Sequence, residues 1–341
     1  MTTTVTVMLG DRSYPIVVGR GVVQRLGEVI PHGVERVLVV TQRGVPLDVP
    51  SVLRAAGFEV VAVEIGRGED AKTLDTVAVL LNELARLGAT RRDVVVGAGG
   101  GMVTDVAGLT ASLWHRGIKV VHVATTLLAM IDAAIGGKTG VNLPHGKNLV
   151  GTFWQPSAVI CDTDALDTLP VREQRCGHGE MAKYHFLAGD DLLALPIEQR
   201  IAKCVEIKAD VVASDERESG RRAILNYGHT LAHALEIETN FDLAHGEAVG
   251  VGLAYAARLA HRLGRIGAER VEDHLRVLRE YGLSAEIPED VDPARLVSLM
   301  RGDKKAIRGL TFVLDGPRGV ELVSGVSEAD AAGALSDMAV R

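Results

Sequence analysis

Asp93-Val-Val-Val-Gly-Ala-Gly-Gly-Gly-Met-Val-Thr-Asp105 passes from a β-branched run into glycine and then into a helix-compatible segment. The valines read as a short strand of the buried, parallel kind. Where such a strand turns into a helix, backbone N–H groups and the helix N-terminus attract phosphate. The glycines do not make the GxGxxG of the common dinucleotide fold, and a tight glycine turn is the plainer alternative. Upstream, about Thr73 to Leu87 carries Leu74, Val77, Leu80, Leu81, Leu84 and Leu87 at helical spacing and stops at Gly88. Before it lie two more apolar strands, Arg36 to Thr41 and Glu59 to Ile65, with a helix near Val49 to Ala56 between them. Downstream, Lys119 to Ala124 is a fourth, ending at Thr125-Thr126. Val5, Val7 and Leu9 alternate with polar residues before Tyr14-Pro-Ile-Val-Val-Gly19, an opening hairpin. Strand and helix alternate throughout, which predicts an α/β nucleotide-binding domain with a parallel sheet.

After about Pro170 the texture changes to Ala- and Leu-rich helical patterns: Ile201 to Ala213, Ile224 to Glu238, Ala248 to Leu263 and Val271 to Tyr281. A short strand pair, Leu310 to Val313 and Gly319 to Val323, interrupts them late. The expected organisation is therefore an α/β domain over 1–170 and a mainly α-helical domain over 171–341.

Composition narrows the function. A 341-residue chain with 47% hydrophobic and 24% charged residues has enough apolar material for a large core. Net charge −7 and pI near 5.9 argue against nucleic-acid binding, and an anionic substrate would need a local basic cluster. Cys161, Cys176 and Cys204 are odd in number and lack CxxC spacing, so no disulfide framework is expected. The opening residues do not read as a signal peptide, and no apolar run reaches the ~18 residues of a membrane span. The expectation is a cytoplasmic protein without a membrane partner.

The chemistry-bearing residues concentrate late. Arg222-Ala-Ile-Leu-Asn-Tyr-Gly-His-Thr-Leu-Ala-His-Ala-Leu-Glu236 is followed by His245-Gly-Glu247, which gives three histidines within 17 residues. His229 and His233, four apart, leave one face of a helix. Imidazoles suit zinc, cobalt or iron, and a carboxylate commonly completes such a site while one position stays open. Glu180 and Lys183, three apart on a helix, would point the same way; a solvated ion pair is the commoner reading of that spacing. Ile135 to Asn148 holds Lys138, Lys147, Asn148 and several glycines on what reads as a loop, a cationic cradle for phosphate or hydroxyl-rich ligands. It is no P-loop, because Asp132 stands where GxxxxGK[ST] requires glycine. Asp132 could position a substrate hydroxyl. Lys208, Arg222 and the pair Lys304-Lys305 add cations that are each unremarkable alone.

Together these stretches resemble the 3-dehydroquinate synthases of the sugar-phosphate cyclase superfamily. The resemblance rests on Gly68-Glu-Asp-Ala-Lys72, Gly99 to Asp105, Arg116-Gly, Thr125-Thr-Leu-Leu, Gly136 to Gly151 and Asp162-Thr-Asp164. It continues through Thr168-Leu-Pro, Glu180 with Lys183, Glu206-Ile-Lys-Ala, Leu225-Asn-Tyr-Gly-His-Thr, His245-Gly-Glu and Asp303-Lys-Lys, in the family's order. It implies NAD and one divalent metal, zinc or cobalt, and closure of 3-deoxy-arabino-heptulosonate 7-phosphate to 3-dehydroquinate with loss of phosphate. The implied route is transient oxidation, elimination, reduction and intramolecular aldol closure. Glu180, His229 and His245 become the metal ligands, with His233 a neighbour that hydrogen-bonds substrate. Asp132, Lys138, Asn148, Lys183, Lys208, Arg222, Asn226 and one of Lys304 or Lys305 would bind substrate. Arg116 would reach its phosphate from the other subunit of a homodimer. Glu69, Lys72, Gly101, Met102, Val103, Thr104, Asp105, Thr125, Thr126, Lys138, Lys147 and Thr168 would hold NAD. One departure stands out: the family usually has Ala-Glu-Val-Ile-Lys-Tyr-Gly where this chain has Gly179-Glu-Met-Ala-Lys-Tyr-His185. The neighbouring readings are a cyclase for an amino analogue or for sedoheptulose 7-phosphate, and a metal-dependent polyol dehydrogenase.

Overall fold

The structure is a computed structural model that describes residues 2–302 and 309–339. Lys304 and Lys305 lie outside the described residues. In chain order the first elements are β1 (Thr3–Val7), β2 (Tyr14–Gly19), α1 (Leu26–Val29), β3 (Arg36–Thr41), α2 (Val49–Ala55), β4 (Glu59–Glu64) and α3 (Leu74–Leu87). Then follow β5 (Val94–Gly99), α4 (Gly101–Leu113), β6 (Lys119–Ala124), β7 (Lys138–Leu143), β8 (Gly146–Phe153) and β9 (Ala158–Asp162). The later elements are α5 (Val171–Ala188), α6 (Ile197–Ser214), α7 (His229–Glu238), α8 (His245–Arg262), α9 (Ala268–Glu280), α10 (Pro293–Gly302), β10 (Leu310–Leu314), β11 (Glu321–Val326) and α11 (Glu328–Ala339).

The chain divides into two compact units, residues 1–170 with 197–217, and residues 171–196 with 218–341. The single boundary expected at Pro170 is therefore corrected: α6 returns to the first unit, where it packs on β1 and β2. Its amphipathic pattern identified a packed helix but not the surface it packs against.

Within the first unit, the described residues form a seven-stranded sheet in the order β1-β2-β9-β6-β5-β3-β4, parallel except for the β1–β2 hairpin. Its valine runs are continuous because both faces are covered. Val37, Val39, Val94 and Val96 face Leu26 and Leu53, while Leu38, Val40 and Val95 face Leu80, Leu84, Val103 and Val106. The chain goes from β3 outward to β4, then crosses back to β5 on the other side of β3. Ligands of open α/β sheets bind at the carboxyl ends of strands flanking such a reversal. The Gly97–Gly101 run sits there, at the end of β5, with Thr41 Oγ1 donating to Ala98 O at 3.0 Å.

The Ile135–Asn148 stretch is not the loop expected from its glycines. It folds into the antiparallel β7–β8 hairpin, with only Pro144-His145 between the strands. Thr139, Val141, Val150 and Thr152 supply β-branched residues, and the glycines serve close approach. A Cβ on Gly151 would stand 2.1 Å from Thr139 O.

In the second unit α8 is the central element, buried along most of its length and packed by α5, α7, α9 and α11. The helix expected over Ile224 to Glu238 is broken. A 3-10 turn, Arg221–Asn226, ends at Tyr227, and Gly228 at φ +81 restarts the chain as α7. Only glycine takes that backbone conformation without strain. Among the described residues no helix is long and apolar enough to cross a membrane.

Candidate active site

The second unit brings Glu180, His229 and His245 together. Each opens or occupies a different helix, α5, α7 and α8, and glycines decide how closely those helices meet. A Cβ on Gly179 would lie 2.1 Å from Gly246 O, and one on Gly246 would lie 2.1 Å from Cys176 O. Backbone therefore touches backbone beside both Glu180 and His245. A Cβ on Gly252 would likewise meet Gly228 O at 2.0 Å, which seats the start of α7 against α8. The family-pattern departure to Gly179 falls at one of these contacts.

The resulting geometry is compact. Glu180 Oε1 is 3.2 Å from His229 Nε2 and 3.2 Å from His245 Nε2, and one ligand atom from each of the three residues lies within 4.8 Å of the others. Lys183 donates to the other carboxylate oxygen, Oε2. Burial alone would raise the Glu180 carboxyl, but Lys183, His229 and His245 overcome it and hold it well below the usual carboxylate range. Burial lowers His229 below an ordinary imidazole despite the same carboxylate. At His245 burial is overcome by Glu180 and Glu236, which push it up to about 10. A buried carboxylate that draws a proton onto an imidazole draws a divalent cation by the same field. Two imidazole nitrogens and one carboxylate oxygen are the donor set of a catalytic zinc-type site with a position left for substrate. The donors fit such a metal.

Around this centre the His233 ring lies 5.6 Å from that of His229, and the three described residues whose ligand atoms converge are Glu180, His229 and His245. Arg222 is buried at the 3-10 turn, and Asn226 donates to Glu218 at 3.0 Å. Glu236 is a participant that sequence reading missed. Its position seven residues after His229, on the same helix face, was the available signal.

The first unit holds a second cluster. Buried Lys72 places its ammonium 2.6 Å from Asp105 Oδ2 and 2.6 Å from Asn148 Oδ1. Asn142 donates to Glu69 Oε2 at 2.6 Å, and its backbone N–H donates to Lys72 O at 2.8 Å. These bonds tie the β7–β8 hairpin to the turn holding Glu69 and Lys72. Desolvation outweighs Lys72 at Asp105 and pushes its carboxyl up to about 6. Gly100 and Gly101 open α4 with little room for side chains: a Cβ on Gly100 meets Thr126 at 3.0 Å, and one on Gly101 meets Ala133 at 2.9 Å. The first amides of α4, from Gly101 to Val103, precede its hydrogen-bond ladder and suit a pyrophosphate. Thr104 Oγ1 donates to Gly101 O at 2.9 Å, and Thr125 N donates to Gly99 O at 3.0 Å. This arrangement fits a dinucleotide.

Lys208 reaches Asp132 Oδ1 at 2.5 Å on the π-helical turn Ala129–Ala133, so two expected substrate residues do meet. Lys138 and Lys147 are exposed on the hairpin. Thr168 is exposed at the end of the 3-10 turn Thr163–Thr168, and no described hydrogen bond joins it to the Lys72 cluster. Arg116 is exposed on a turn where it and His115 both have positive φ, +65 and +48. Two such non-glycine residues in succession are costly backbone.

Comparison with known proteins bears on these clusters. Residues 62–176 match the family model described as 3-dehydroquinate synthase N-terminal, and residues 177–306 match 3-dehydroquinate synthase C-terminal. The chain is 55% identical over 328 residues to a putative aminodehydroquinate synthase of Amycolatopsis mediterranei (strain S699), covering 96% of this chain and 92% of that protein. It is 40% identical over 336 residues to the 3-dehydroquinate synthase of Thermobifida fusca (strain YX), covering 93% and 91%. Among solved structures it is similar to 2-deoxy-scyllo-inosose synthase complexed with carbaglucose-6-phosphate, NAD+ and Co2+. That likeness has a TM-score of 0.87 and 29% identity, covering 98% of this chain and all of that one.

Proposed function

The chain belongs to the 3-dehydroquinate synthase family, and on that premise we propose that it closes 3-deoxy-arabino-heptulosonate 7-phosphate into 3-dehydroquinate, releasing phosphate. The observation that carries the reading is buried Glu180 with half-buried His229 and His245 converging on it, inside a chain matched by both family models. The net reaction is redox-neutral, which makes the enzyme a phosphorus–oxygen lyase rather than a dehydrogenase. NAD, when bound, supplies a reversible hydride acceptor, and a divalent metal supplies a Lewis acid for the substrate's hydroxyls.

The protein's own residues do the rest. Glu180, His229 and His245 hold the metal, and Lys183 balances the remaining carboxylate charge. Glu69, Lys72, the Gly101–Asp105 turn, Thr125, Thr126, Lys138, Lys147 and Thr168 hold the dinucleotide. Lys208 and Asp132, already paired, hold a proton between an amine and a carboxylate beside substrate hydroxyls. Arg222 suits the substrate carboxylate, since a guanidinium binds it through two parallel bonds. Lys138, Asn148, Asn226, His233 and one of Lys304 or Lys305 complete the substrate contacts. In a protein of net charge −7 these local cations concentrate an anionic sugar phosphate. Arg116 completes the phosphate site from the partner subunit of a homodimer in the cytoplasm; light scattering should give twice 36.2 kDa.

A second reading has its own support. The 55% relative is named for the amino counterpart of the reaction, whereas the Thermobifida protein is 40% identical. Phosphate release from the two substrates, side by side with NAD and Zn²⁺ or Co²⁺, separates them. A kcat/KM at least about tenfold higher for one assigns it, a difference of ~1.4 kcal/mol in transition-state binding. No phosphate from either contradicts both readings.

A further inference from the structure

His229 and His245 present the same ring nitrogen to Glu180 and are backed differently. His229 Nδ1 lies 3.1 Å from the Tyr227 carbonyl oxygen, a backbone acceptor held by the turn that starts α7. His245 Nδ1 lies 3.5 Å from Glu236 Oε1, a side chain of another helix. His245 is also the less anchored of the two. Both open a helix, but the His245 side chain is 32% exposed against 12% for His229, and Asn240 and Phe241 in the turn before it have φ +49 and +64. An imidazole in that position depends on a partner to choose which nitrogen faces the ligand set.

The geometry points to Glu236 as that partner, and we propose that it is a positioning residue for the metal centre. Glu236 takes the Nδ1–H of His245, which leaves the Nε2 lone pair directed at the Glu180–His229 pair and strengthens it as a donor. Carboxylate–imidazole–metal relays act in this way, and removing the carboxylate costs ~10–100-fold in metal affinity. Glu236 is placed for it by α7 itself: His229, His233 and Glu236 follow one another at i, i+4 and i+7 on one helix face. The plainer alternative is an ion pair that merely fastens α7 to α8.

The inference rests on the metal reading of Glu180, His229 and His245, but not on the choice of substrate. The test is the affinity of the purified protein for Zn²⁺ or Co²⁺ alone, by competition with a chromogenic chelator. Wild type, Glu236→Gln and Glu236→Ala are compared, with the Co²⁺ absorption spectrum and the metal-free melting temperature of each. The expected result is Kd weakened about tenfold for glutamine and toward a hundredfold for alanine. The Co²⁺ bands should change while the metal-free melting temperature of the glutamine variant stays at wild type. Wild-type Kd and spectrum in both variants would overturn the role, as would a glutamine variant unfolded before metal is added. If alanine alone fails to fold, the isosteric glutamine decides. Wild type that binds neither ion would remove the metal reading itself, a result distinct from tight wild-type binding that the variants share.

Discussion

Glu180 is fully buried, ionised and shared between two imidazoles, an arrangement that costs several kcal/mol unless something cationic compensates it. Lys183 supplies part of that compensation, and a divalent ion would supply more. His245→Ala should therefore abolish binding of Zn²⁺ or Co²⁺ and activity together, while circular dichroism and NAD binding stay at wild type. A variant that retains full activity with bound metal would remove His245 from the ligand set. Spacing alone pointed to His229 with His233, because four residues on a helix is the only proximity a local pattern can express. His245 joins through the Gly179–Gly246 contact, which no local period encodes. Two histidines away from the site are legible only in the structure: burial pushes His122 and His274 down to about 4. Between that value and the ordinary 6.5 the unfolded chain binds protons that the folded chain refuses, so stability rises with pH over this window. Each contributes about 3 kcal/mol, fully present above pH 6.5 and lost as pH falls to 4. Denaturant titrations from pH 7 to 4 should show this fall, and replacing His274 with glutamine should reduce the slope by one proton. An unchanged slope would mean that His274 takes up its proton while folded.

The site in the second unit is a product of helices that touch through glycine. Gly179→Ala would drive a methyl group into the Gly246 carbonyl and push α5 from α8. About 1–3 kcal/mol of stability should be lost, together with metal affinity, because Glu180 and His245 ride on the two displaced backbones. A calorimetric melt unchanged by this substitution would contradict the contact. Asp93 makes a similar case in the first unit. It accepts from the backbone N–H groups of Thr90 and Arg36 at 2.6 and 2.9 Å, and these bonds outweigh its burial to keep the carboxyl low. Asp93→Ala leaves those donors buried without it and should cost about 1–3 kcal/mol by denaturant titration. The parallel strands could be read from their valines because complete burial on both faces leaves an unbroken apolar run. The β7–β8 hairpin could not, because glycines that permit close strand contact look the same in sequence as glycines that break structure. Likewise the periodicity of α6 shows an apolar face and not its neighbour, so chain order alone assigned it to the wrong unit.

At the scale of the whole molecule, an acidic chain carries a dinucleotide-type cluster in one unit and a metal-type triad in the other, with cations in both. Sequence made much of this inventory visible, since the family's motifs carry the relevant residues in order. It left open which substrate the cations serve, because carboxylate, phosphate and hydroxyl groups attract the same side chains. The central claim is a cyclisation in which oxidation and reduction cancel. Purified protein should be given 3-deoxy-arabino-heptulosonate 7-phosphate with Zn²⁺ or Co²⁺ and NAD far below the substrate concentration, and phosphate and NADH followed together. The account predicts many phosphates released per NAD, with 3-dehydroquinate formed and no accumulation of NADH. NADH rising in step with substrate consumed, without phosphate, would contradict it and make the protein a dehydrogenase.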